Sequence, residues 1–450
     1  MFVLAINWSA FFANVGQFIL AFSILVILHE LGHFLPAKWF GCRVDKFYLF
    51  FNPWFSLWKK KFGETEYGLG WIPLGGYVKI AGMIDESMDK EQLKKPPQPW
   101  EFRSKPAWQR LIIMLGGVTV NFILALVLFA MILFVWGEER LPAKNLKYGL
   151  ATGSLATSVG LKSGDMIKAV NNKPLVYMND LPKDLVLNER VTMLINRSGR
   201  DTAVQLPQGF ISTLTKNQLR GFVSARVPVV VDSVSSKIEY KEGQLQKGDR
   251  LVSINGEPFL YFDEFDSLKQ RYKNQVVPLQ VVHNGGDTAT VSVKVQEDGN
   301  IGFFPVVPTK LLGTERITYS FFEAIPAGIN YGIEQLKDYI TGIRLLFTSK
   351  EHKLKDNLGS VISIGKTFGG TWDWRHFWTM TALFSIILAF MNILPIPALD
   401  GGHALFTIYE MITTRKPSDK FIEYAQMVGM VLLLGLMLYA FGLDIWRLFK

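Results

Sequence analysis

Four long stretches of the chain contain no charged side chain. They extend from Met1 to Leu28, from Leu111 to Gly137, from Phe377 to Leu399 and from Tyr424 to Leu443. A helix needs about 20 consecutive apolar residues to cross the hydrocarbon core of a bilayer, and each stretch reaches that length. The sequence therefore predicts an α-helical membrane protein with four spans. With their flanking residues, we place the spans at 1–40, 107–137, 376–403 and 419–443.

We expect the first stretch to remain in the protein as a span and not to be removed as a signal peptide. No Lys or Arg precedes it, the first being Lys38, and no A-x-A-like cleavage site follows it. A secretory signal peptide has both of these features.

The net charge of +9 is concentrated in the short connecting segments. Loop 41–106 and the connection around Arg415, Lys416 and Lys420 are basic, whereas residues 1–15 contain no Lys or Arg. The positive-inside rule places both basic loops in the cytoplasm, and both termini and the long stretch 138–375 on the other side. This distribution gives no reason to expect a nucleic-acid partner. With one cysteine, Cys42, the chain forms no intramolecular disulfide.

A sequence repeat with a period of 84 residues lies between the second and third predicted spans. Its members are Leu161, Gly164, Asp165, Ile167, Val170, Asn171 and Pro174, which recur as Leu245, Gly248, Asp249, Leu251, Ile254, Asn255 and Pro258. In each copy a short alternating strand ends at Asn171-Asn172 or Asn255-Gly256, dipeptides that favour type I′ hairpin turns. A period of this length predicts two tandem domains, because solenoid repeats are shorter.

The repeated pattern resembles PDZ domains of the permuted bacterial kind. This resemblance implies two tandem β-rich PDZ domains, at residues 145–220 and 221–310, inserted between the second and third spans. It also implies a groove that accepts a peptide by strand addition, for which Val229, Val230 and Val231 form the predicted ligand-side strand. Whether either domain has a peptide ligand or serves only as a spacer stays open.

Two further segments have distinct patterns. Within residues 315–375, Ile317 to Phe347 has apolar residues at helical spacing and several charges. This pattern predicts an amphipathic helix that lies at the membrane interface or packs on the two PDZ-like domains, which we call the modules. Glu66 to Ile80 is apolar and rich in glycine and aromatic residues, and it predicts a β-hairpin. A sheet edge cannot face lipid, so we expect it to lie in a cavity where a substrate strand pairs near Gly75, Gly76 and Tyr77.

The sequence His29-Glu30-Leu31-Gly32-His33 closes the first span. Residues i and i+4 share one face of a helix, so His29 and His33 can bind one zinc ion while Glu30 serves as general base. Ionisable residues inside a membrane are costly and usually mark a functional site. The motif therefore predicts metal-assisted hydrolysis of a peptide bond.

A catalytic zinc site needs a third protein ligand. The third predicted span contains two candidates, Asp400 and His403, close to a helix break at Pro395 and Pro397 and to the flexible pair Gly401-Gly402. His403 is the better zinc donor by residue type, whereas Asp400 lies closer to the break. From the residues alone, both assignments stay open.

The zinc motif in one span and Leu399-Asp400-Gly401 in another, with the modules between them, resemble the site-2 protease family. The resemblance covers nearly the whole chain. It implies zinc held by His29, His33 and Asp400, Glu30 as base, a membrane re-entrant β-loop at residues 63–80, and Asn121 and Asn392 near the bound substrate. Two family Gly-Pro pairs are Gly117-Val118 and Ser360-Val361 here.

The same resemblance implies the substrates and the location. The expected substrates are single-span membrane proteins, above all an anti-sigma factor already trimmed on its outer side, and remnant signal peptides. The expected location is the bacterial inner membrane, with the lipid bilayer as a partner and the modules and termini in the periplasm. A membrane-anchored PDZ scaffold without protease activity is the alternative. A metal transporter is disfavoured, because no second metal-like cluster or broken-helix repeat accompanies the first.

Overall fold

The computed structural model describes residues 8–83, 96–217, 219–235, 240–349 and 361–448. Residues 84–95 of the predicted cytoplasmic loop lie outside this description, as do residues 350–360 of the predicted amphipathic segment, Ser360 among them. The chain divides into two compact units. The first comprises Met1–Gly137, Thr318–Thr341 and Asn357–Lys450, and the second comprises Glu138–Ile317 and Gly342–Asp356.

The first unit begins with a long helix, a small sheet and a second long helix. These elements are α1 (Trp8–Trp39), β1 (Val44–Phe51), β2 (Trp58–Phe62), β3 (Thr65–Leu69), β4 (Ile72–Ile80) and α2 (Ala107–Trp136). The sheet order is β2-β3-β1-β4, in which β1 is parallel to β3 and antiparallel to β4.

The predicted hairpin from Glu66 to Ile80 is therefore wrong in its pairing. Both of its strands exist, but β1 lies between them. Gly70, between β3 and β4, lets the chain pass close to the end of β1. Its amide donates to the carbonyl of Leu49, and a Cβ there would collide with the carbonyl oxygens of Phe50 and Phe51. Strand β1 thus takes the place that a direct β3–β4 pair would fill.

The second unit contains short helices and strands in two β-rich modules. Its elements in chain order are β5 (Glu138–Arg140), β6 (Leu150–Thr152), α3 (Ser154–Ser158), β7 (Met166–Val170), β8 (Lys173–Pro174), α4 (Leu181–Val186), β9 (Thr192–Arg197), β10 (Arg200–Gln205), α5 (Phe210–Lys216), β11 (Val223–Ala225), β12 (Val231–Val234), β13 (Tyr240–Glu242), β14 (Arg250–Ile254), β15 (Glu257–Pro258), α6 (Phe262–Lys269), β16 (Val276–Val282), β17 (Thr288–Lys294), β18 (Phe303–Pro305), α7 (Pro308–Leu312) and β19 (Glu315–Ile317). Strands β5 and β19 pair with each other, so the two ends of this unit are neighbours.

The internal repeat is visible in the two larger sheets of this unit. Their orders are β10-β9-β7-β8 and β13-β17-β16-β14-β15. The β7–β8 and β14–β15 hairpins occupy equivalent positions in the repeat. Asn171, Asn172, Asn255 and Gly256 all have positive φ, which confirms the predicted I′-type turns. Each module has its own apolar core, one around Leu161 and Met193 and the other around Leu251 and Val291.

Among the described residues, five helices follow β19. These are α8 (Phe321–Thr348), α9 (Val361–Lys366), α10 (Trp374–Ile393), α11 (Asp400–Thr413) and α12 (Asp419–Leu448). Helices α1, α10 and α11 all pack on α2. Within the described residues, four helices are long and apolar enough to cross a membrane, namely α1, α2, α10 and α12, which confirms the predicted count.

The predicted third span and the predicted amphipathic helix both differ from the structure. The predicted third span, 376–403, is divided: α10 ends at Ile393 and a separate helix begins at Asp400, because Pro395 and Pro397 interrupt the hydrogen-bond ladder. The predicted amphipathic helix is α8. It packs on α2 through a glycine, whereas we expected it at the membrane interface or against the modules. A Cβ on Gly328 would collide with the backbone of Ala130, so the two helices are in close contact.

Candidate metal centre

The two histidines of α1 lie side by side, as their spacing predicts. Nε2 of His29 and Nε2 of His33 are 3.3 Å apart, and both residues are buried. Glu30, between them in the sequence, is half-buried. Two imidazole nitrogens on one face of α1 thus point to the same position. This helix is long and apolar enough to cross a membrane.

Asp400 completes this group from the first turn of α11. Its Oδ2 atom lies 3.2 Å from Nε2 of His29 and 3.3 Å from Nε2 of His33. These three residues form a group of potential metal ligands among the described residues. Although Oδ2 is buried, it has no hydrogen-bond partner among the described residues, which is an unfavourable state for a carboxylate oxygen unless it binds a cation.

The triangle of donor atoms fits a zinc ion. Tetrahedral zinc with ligands at about 2.0–2.1 Å places neighbouring ligand atoms roughly 3.3–3.4 Å apart. The three observed separations, 3.2, 3.3 and 3.3 Å, agree with that spacing. Two histidines and one carboxylate are also a donor set typical of hydrolytic zinc enzymes.

Hydrogen bonds on the far side of each imidazole orient it toward this point. Nδ1 of His33 is 2.8 Å from the carbonyl oxygen of Ile113, so this nitrogen carries the proton and Nε2 keeps its lone pair for a metal. Nδ1 of His29 is 3.1 Å from Nδ2 of Asn121. The Oδ1 atom of Asn121 is buried without a partner, and exchanging the two ends of the amide would let it accept from Nδ1–H.

Glycines on α1 and α2 bring the histidines to the second helix. A Cβ on Gly32 would collide with the carbonyl of Gly116, so the two backbones touch where the helices cross. A Cβ on Gly117 would lie against Nε2 of His33 and 2.6 Å from Cε1 of His29. From the sequence, Gly117 was notable only as part of a departure from a family motif. The signal for its role, small residues on two apolar helices, does not identify which pair of helices makes contact.

The segment from 394 to 399 carries Asp400 to the histidines. Ala398 has a φ of 84°, a left-handed conformation that is uncommon for a residue with a side chain. Gly401 and Gly402 pack directly on this segment: a Cβ on Gly402 would lie 2.6 Å from the carbonyl oxygen of Ile396. Residues 394–399 therefore form the tight backbone before Asp400, and the glycine pair, in the first turn of α11, leaves room for it.

Strand β4 passes beside the turn of α1 that carries Glu30. A Cβ on Gly76 would lie 2.7 Å from Cγ1 of Val26 and 3.4 Å from Cγ of Glu30. Strand β4 is also the terminal strand of its sheet. A glycine at this position thus lets a terminal strand run close to the Glu30 side chain.

The other predicted substrate residues occupy different surroundings. A Cβ on Gly75 would collide with the ring of Phe51, and Tyr77 donates to Oδ1 of Asn52 at 2.9 Å. Nδ2 of Asn392 is 3.4 Å from Nε2 of His29, at the border of the donor triangle. Asn121 is fully buried, and its side chain contacts His29. It thus lies beside the donor triangle, and its expected place near the bound substrate stays a prediction.

His403, the competing ligand candidate, lies outside the donor triangle. Its Nε2 atom is 2.7 Å from Nε2 of Gln426 on α12. It lines a small cavity with Arg110 and Glu410. Of the two candidates, the structure brings Asp400 to the histidines.

The predicted peptide-binding strand lies in the core of the second module. Val229 and Val231 are fully buried. The carbonyl groups of Val229, Val230 and Val231 accept hydrogen bonds from the amides of Leu251, Val306 and Gly248. The structure therefore gives the predicted peptide groove no open carbonyl edge at these three residues.

Comparisons with known proteins agree with this chemistry. The sequence matches peptidase family M50 over residues 17–436. It is 28% identical to the regulator of sigma-E protease RseP of Escherichia coli, covering 98% of this chain and 100% of that protein. It is 26% identical to a Treponema pallidum protein named "Putative zinc metalloprotease", covering 96% of this chain and 98% of that protein. The chain therefore belongs to peptidase family M50, the site-2 protease family of zinc metalloendopeptidases.

Proposed function

We propose that this protein hydrolyses peptide bonds within the transmembrane segments of single-span membrane proteins. The observation that carries the proposal is the donor triangle of His29, His33 and Asp400, with both histidines and Glu30 on a helix that is long and apolar enough to cross a membrane. The substrate class includes an anti-sigma factor already trimmed outside the membrane and remnant signal peptides. The name of the Escherichia coli relative, a regulator of sigma-E, supports the first of these.

In this proposal, His29, His33 and Asp400 hold the zinc ion and Glu30 moves the proton. Bound zinc supplies Lewis acidity, which polarises a carbonyl group and acidifies water. The Glu30 carboxylate accepts a proton from the attacking water and returns it to the nitrogen of the leaving amine. Asn392, near the border of the triangle, donates an N–H to the oxygen on which negative charge develops.

Strand β4 holds the substrate in an extended form. A transmembrane helix satisfies its own carbonyl groups, so a scissile carbonyl becomes accessible only after local unwinding. Pairing with β4, beside Glu30, gives the unwound backbone new hydrogen-bond partners. The sheet thereby offsets the cost of unwinding inside a medium that lacks water.

We also propose the orientation and the purpose of the modules. The basic loops lie in the cytoplasm, and the two modules, with both termini, lie in the periplasm of the inner membrane. There the modules exclude substrates that still carry a bulky outer domain. This explains why trimming precedes cleavage in the proposed pathway.

Three variants of the full-length protein test the chemistry. We expect Glu30→Gln to abolish cleavage of a model single-span substrate while keeping zinc, because Glu30 is placed as base. Asp400→Asn should lose zinc and cleavage together, because a neutral amide is a poor zinc ligand. His403→Ala is the matched control and should keep its zinc.

Zinc content is normalised to folded protein in each case. Cleavage by Glu30→Gln above a few percent of wild type would contradict the role of Glu30. Zinc retained by Asp400→Asn and lost by His403→Ala would show that the ligand assignment is wrong.

A further inference from the structure

A cleft on the outer part of the cytoplasmic-side sheet has no role in the chemistry above. It has a volume of about 490 Å³, within the range of small-molecule pockets. Its lining is formed by one residue of α1 and the strands β1, β2 and β3, namely Ile27, Phe47, Leu49, Trp58, Phe62, Tyr67 and Gly68. We call this feature the outer cleft.

The register of the sheet explains why the outer cleft is apolar. Lys60 on β2 is opposite Tyr67 on β3, and Tyr67 is beside Phe47 on β1, so their side chains share one face. Trp58 and Phe62 are two residues from Lys60 and project to the same face. The result is an aromatic face with one lysine in it, at the end of the sheet opposite β4.

The bilayer is the medium that this cleft meets. Ile27 belongs to α1, a helix long and apolar enough to span a membrane, and it is exposed on the side of the helix that borders the cleft. An apolar opening beside a membrane-spanning helix is in contact with acyl chains. Trp58 and Phe62 are both more than half exposed, which is typical of aromatic side chains at a lipid interface.

Three consecutive lysines provide a site for a headgroup. Lys59, Lys60 and Lys61 form the middle of β2, and the whole strand is exposed. The ammonium group of Lys60 is 4.8 Å from the centroid of the Phe62 ring, so it lies directly at the cleft. Lysines near the cytoplasmic surface of a membrane attract anionic lipids.

The nearest carboxylates are engaged with other groups. Oε1 of Glu64 accepts from Lys38 at 2.8 Å, and Oε1 of Glu66 accepts from Tyr48 at 2.7 Å. Glu64 is thus neutralised by Lys38, whereas Glu66, opposite Lys61 in the register, is bonded to a neutral hydroxyl and keeps its charge. The three lysines of β2 outnumber this one carboxylate, so the net charge along the strand is positive and complements a phosphate headgroup.

From these observations we propose that the outer cleft binds an anionic phospholipid. One acyl chain lies along the aromatic face, between Ile27 and β2, and the phosphate contacts Lys60. Lys59 and Lys61 project to the other face of β2 and add to the positive charge around this site. The site is separate from the proposed substrate strand, because β2 and β4 are opposite ends of the sheet.

Photolabelling tests this proposal with the full-length protein in vesicles of phosphatidylcholine and phosphatidylglycerol. Two probes carry the same diazirine on an acyl chain, one with a phosphatidylglycerol headgroup and the other with phosphatidylcholine. We expect the phosphatidylglycerol probe to label peptides containing Ile27, Leu49 or Phe62 at least about fivefold more strongly, since one lysine beside an anionic headgroup contributes about that factor. The triple variant Lys59→Gln/Lys60→Gln/Lys61→Gln should reduce the ratio to about one.

A matched control removes three exposed lysines from the second module. The variant Lys241→Gln/Lys247→Gln/Lys273→Gln has the same change in net charge and should keep the wild-type labelling ratio. Zinc content confirms that each variant is folded, and it is independent of the labelling result. Equal labelling by the two probes would overturn the proposal. Displacement of the label by an uncleaved substrate bound to Glu30→Gln would also overturn it, by showing that the cleft belongs to the substrate.

Discussion

Asn121 illustrates how one buried amide can set the chemistry of a metal ligand. Its side chain touches Nδ1 of His29, and Ser385 donates to its backbone carbonyl at 2.7 Å. Asn121 is therefore held by two other helices, its side chain by α1 and its main chain by α10. A ligand histidine held in this way presents Nε2 to the metal in one tautomer, and loss of such support typically weakens metal binding about 10- to 100-fold.

We predict that Asn121→Leu lowers zinc affinity by about that factor, because leucine has the branched shape of asparagine but cannot make the hydrogen bond. Asn121→Asp is the matched control. It preserves an oxygen that accepts from Nδ1–H, so its affinity should stay within a few-fold of wild type. Competition with a chelator measures both values. Unchanged zinc affinity in Asn121→Leu would mean that the contact with His29 has no role in binding.

At the scale of elements, the close approach of β4 to α1 depends on a missing side chain. Gly76→Val would place atoms within 2.7 Å of the Tyr48 carbonyl and of Val26. We predict that β4 moves away from Glu30 and that cleavage falls about 100-fold, since a displacement of about 1 Å can cost that much. Zinc content should not change.

Gly435→Val on α12 is the control for this prediction, because a Cβ there meets no neighbouring atom within 4 Å. It should leave cleavage near the wild-type rate. Full activity in Gly76→Val would show that substrate does not use β4.

The first module depends on an ion pair at the start of β7. Arg197 donates to both carboxylate oxygens of Asp165, at 2.8 and 2.7 Å. Burial raises the pKa of Asp165, but the bonds from Arg197 and from the amide of Lys162 outweigh it, and the net pKa is below its ordinary value. A carboxyl group with a depressed pKa stabilises the folded state above its unfolded pKa of about 3.9, and this contribution is lost as the pH falls through the folded pKa.

We therefore predict that Arg197→Met destabilises the first module by about 1–3 kcal/mol at pH 7 and by less at pH 3. Hydrogen exchange of β7 and β9 in the full-length protein measures the effect, with β14 and β16 of the second module as an internal reference. Equal protection of the two modules in this variant at pH 7 would contradict the prediction.

Elements that depend on local interactions were predictable from the sequence, and those that depend on contacts between distant segments were not. The apolar stretches and the turn residues Asn171 and Asn255 act locally, so the spans and both hairpins were predicted. The insertion of β1 between β3 and β4 was not predicted, because a parallel pair depends on contacts between distant segments. The contacts of Gly117 and Asn121 were also missed, since they depend on which faces of two apolar helices meet.

At the scale of the whole molecule, the two modules are inserted into the sequence of the first unit, but the two ends of the insertion lie side by side. Strands β5 and β19 pair where the chain leaves and re-enters the first unit. Deleting residues 145–310 therefore retains both strands, and a short linker can join them. No candidate catalytic residue lies in the deleted part.

We predict that this deletion yields an enzyme that binds zinc and cleaves untrimmed substrates that the full-length protein refuses. The physical reason is that the proposed steric filter is removed while the donor triangle is unchanged. Cleavage of trimmed and untrimmed forms of one substrate measures the difference, and the deletion combined with Glu30→Gln controls for other proteases. A folded, zinc-loaded deletion variant that still refuses the untrimmed form would contradict the filter.

The distance between the ligands along the chain has a consequence for biosynthesis. His29 and His33 are made early, but Asp400 follows more than 360 residues later. At about 5–20 residues per second, the ribosome needs roughly 20 to 70 seconds to supply it. With the ligands proposed above, the growing chain carries Glu30 without a complete zinc site during that interval, and we expect it to be inactive toward other newly inserted proteins at the same translocation machinery. The late ligand would thus delay activity until the third ligand has been synthesised.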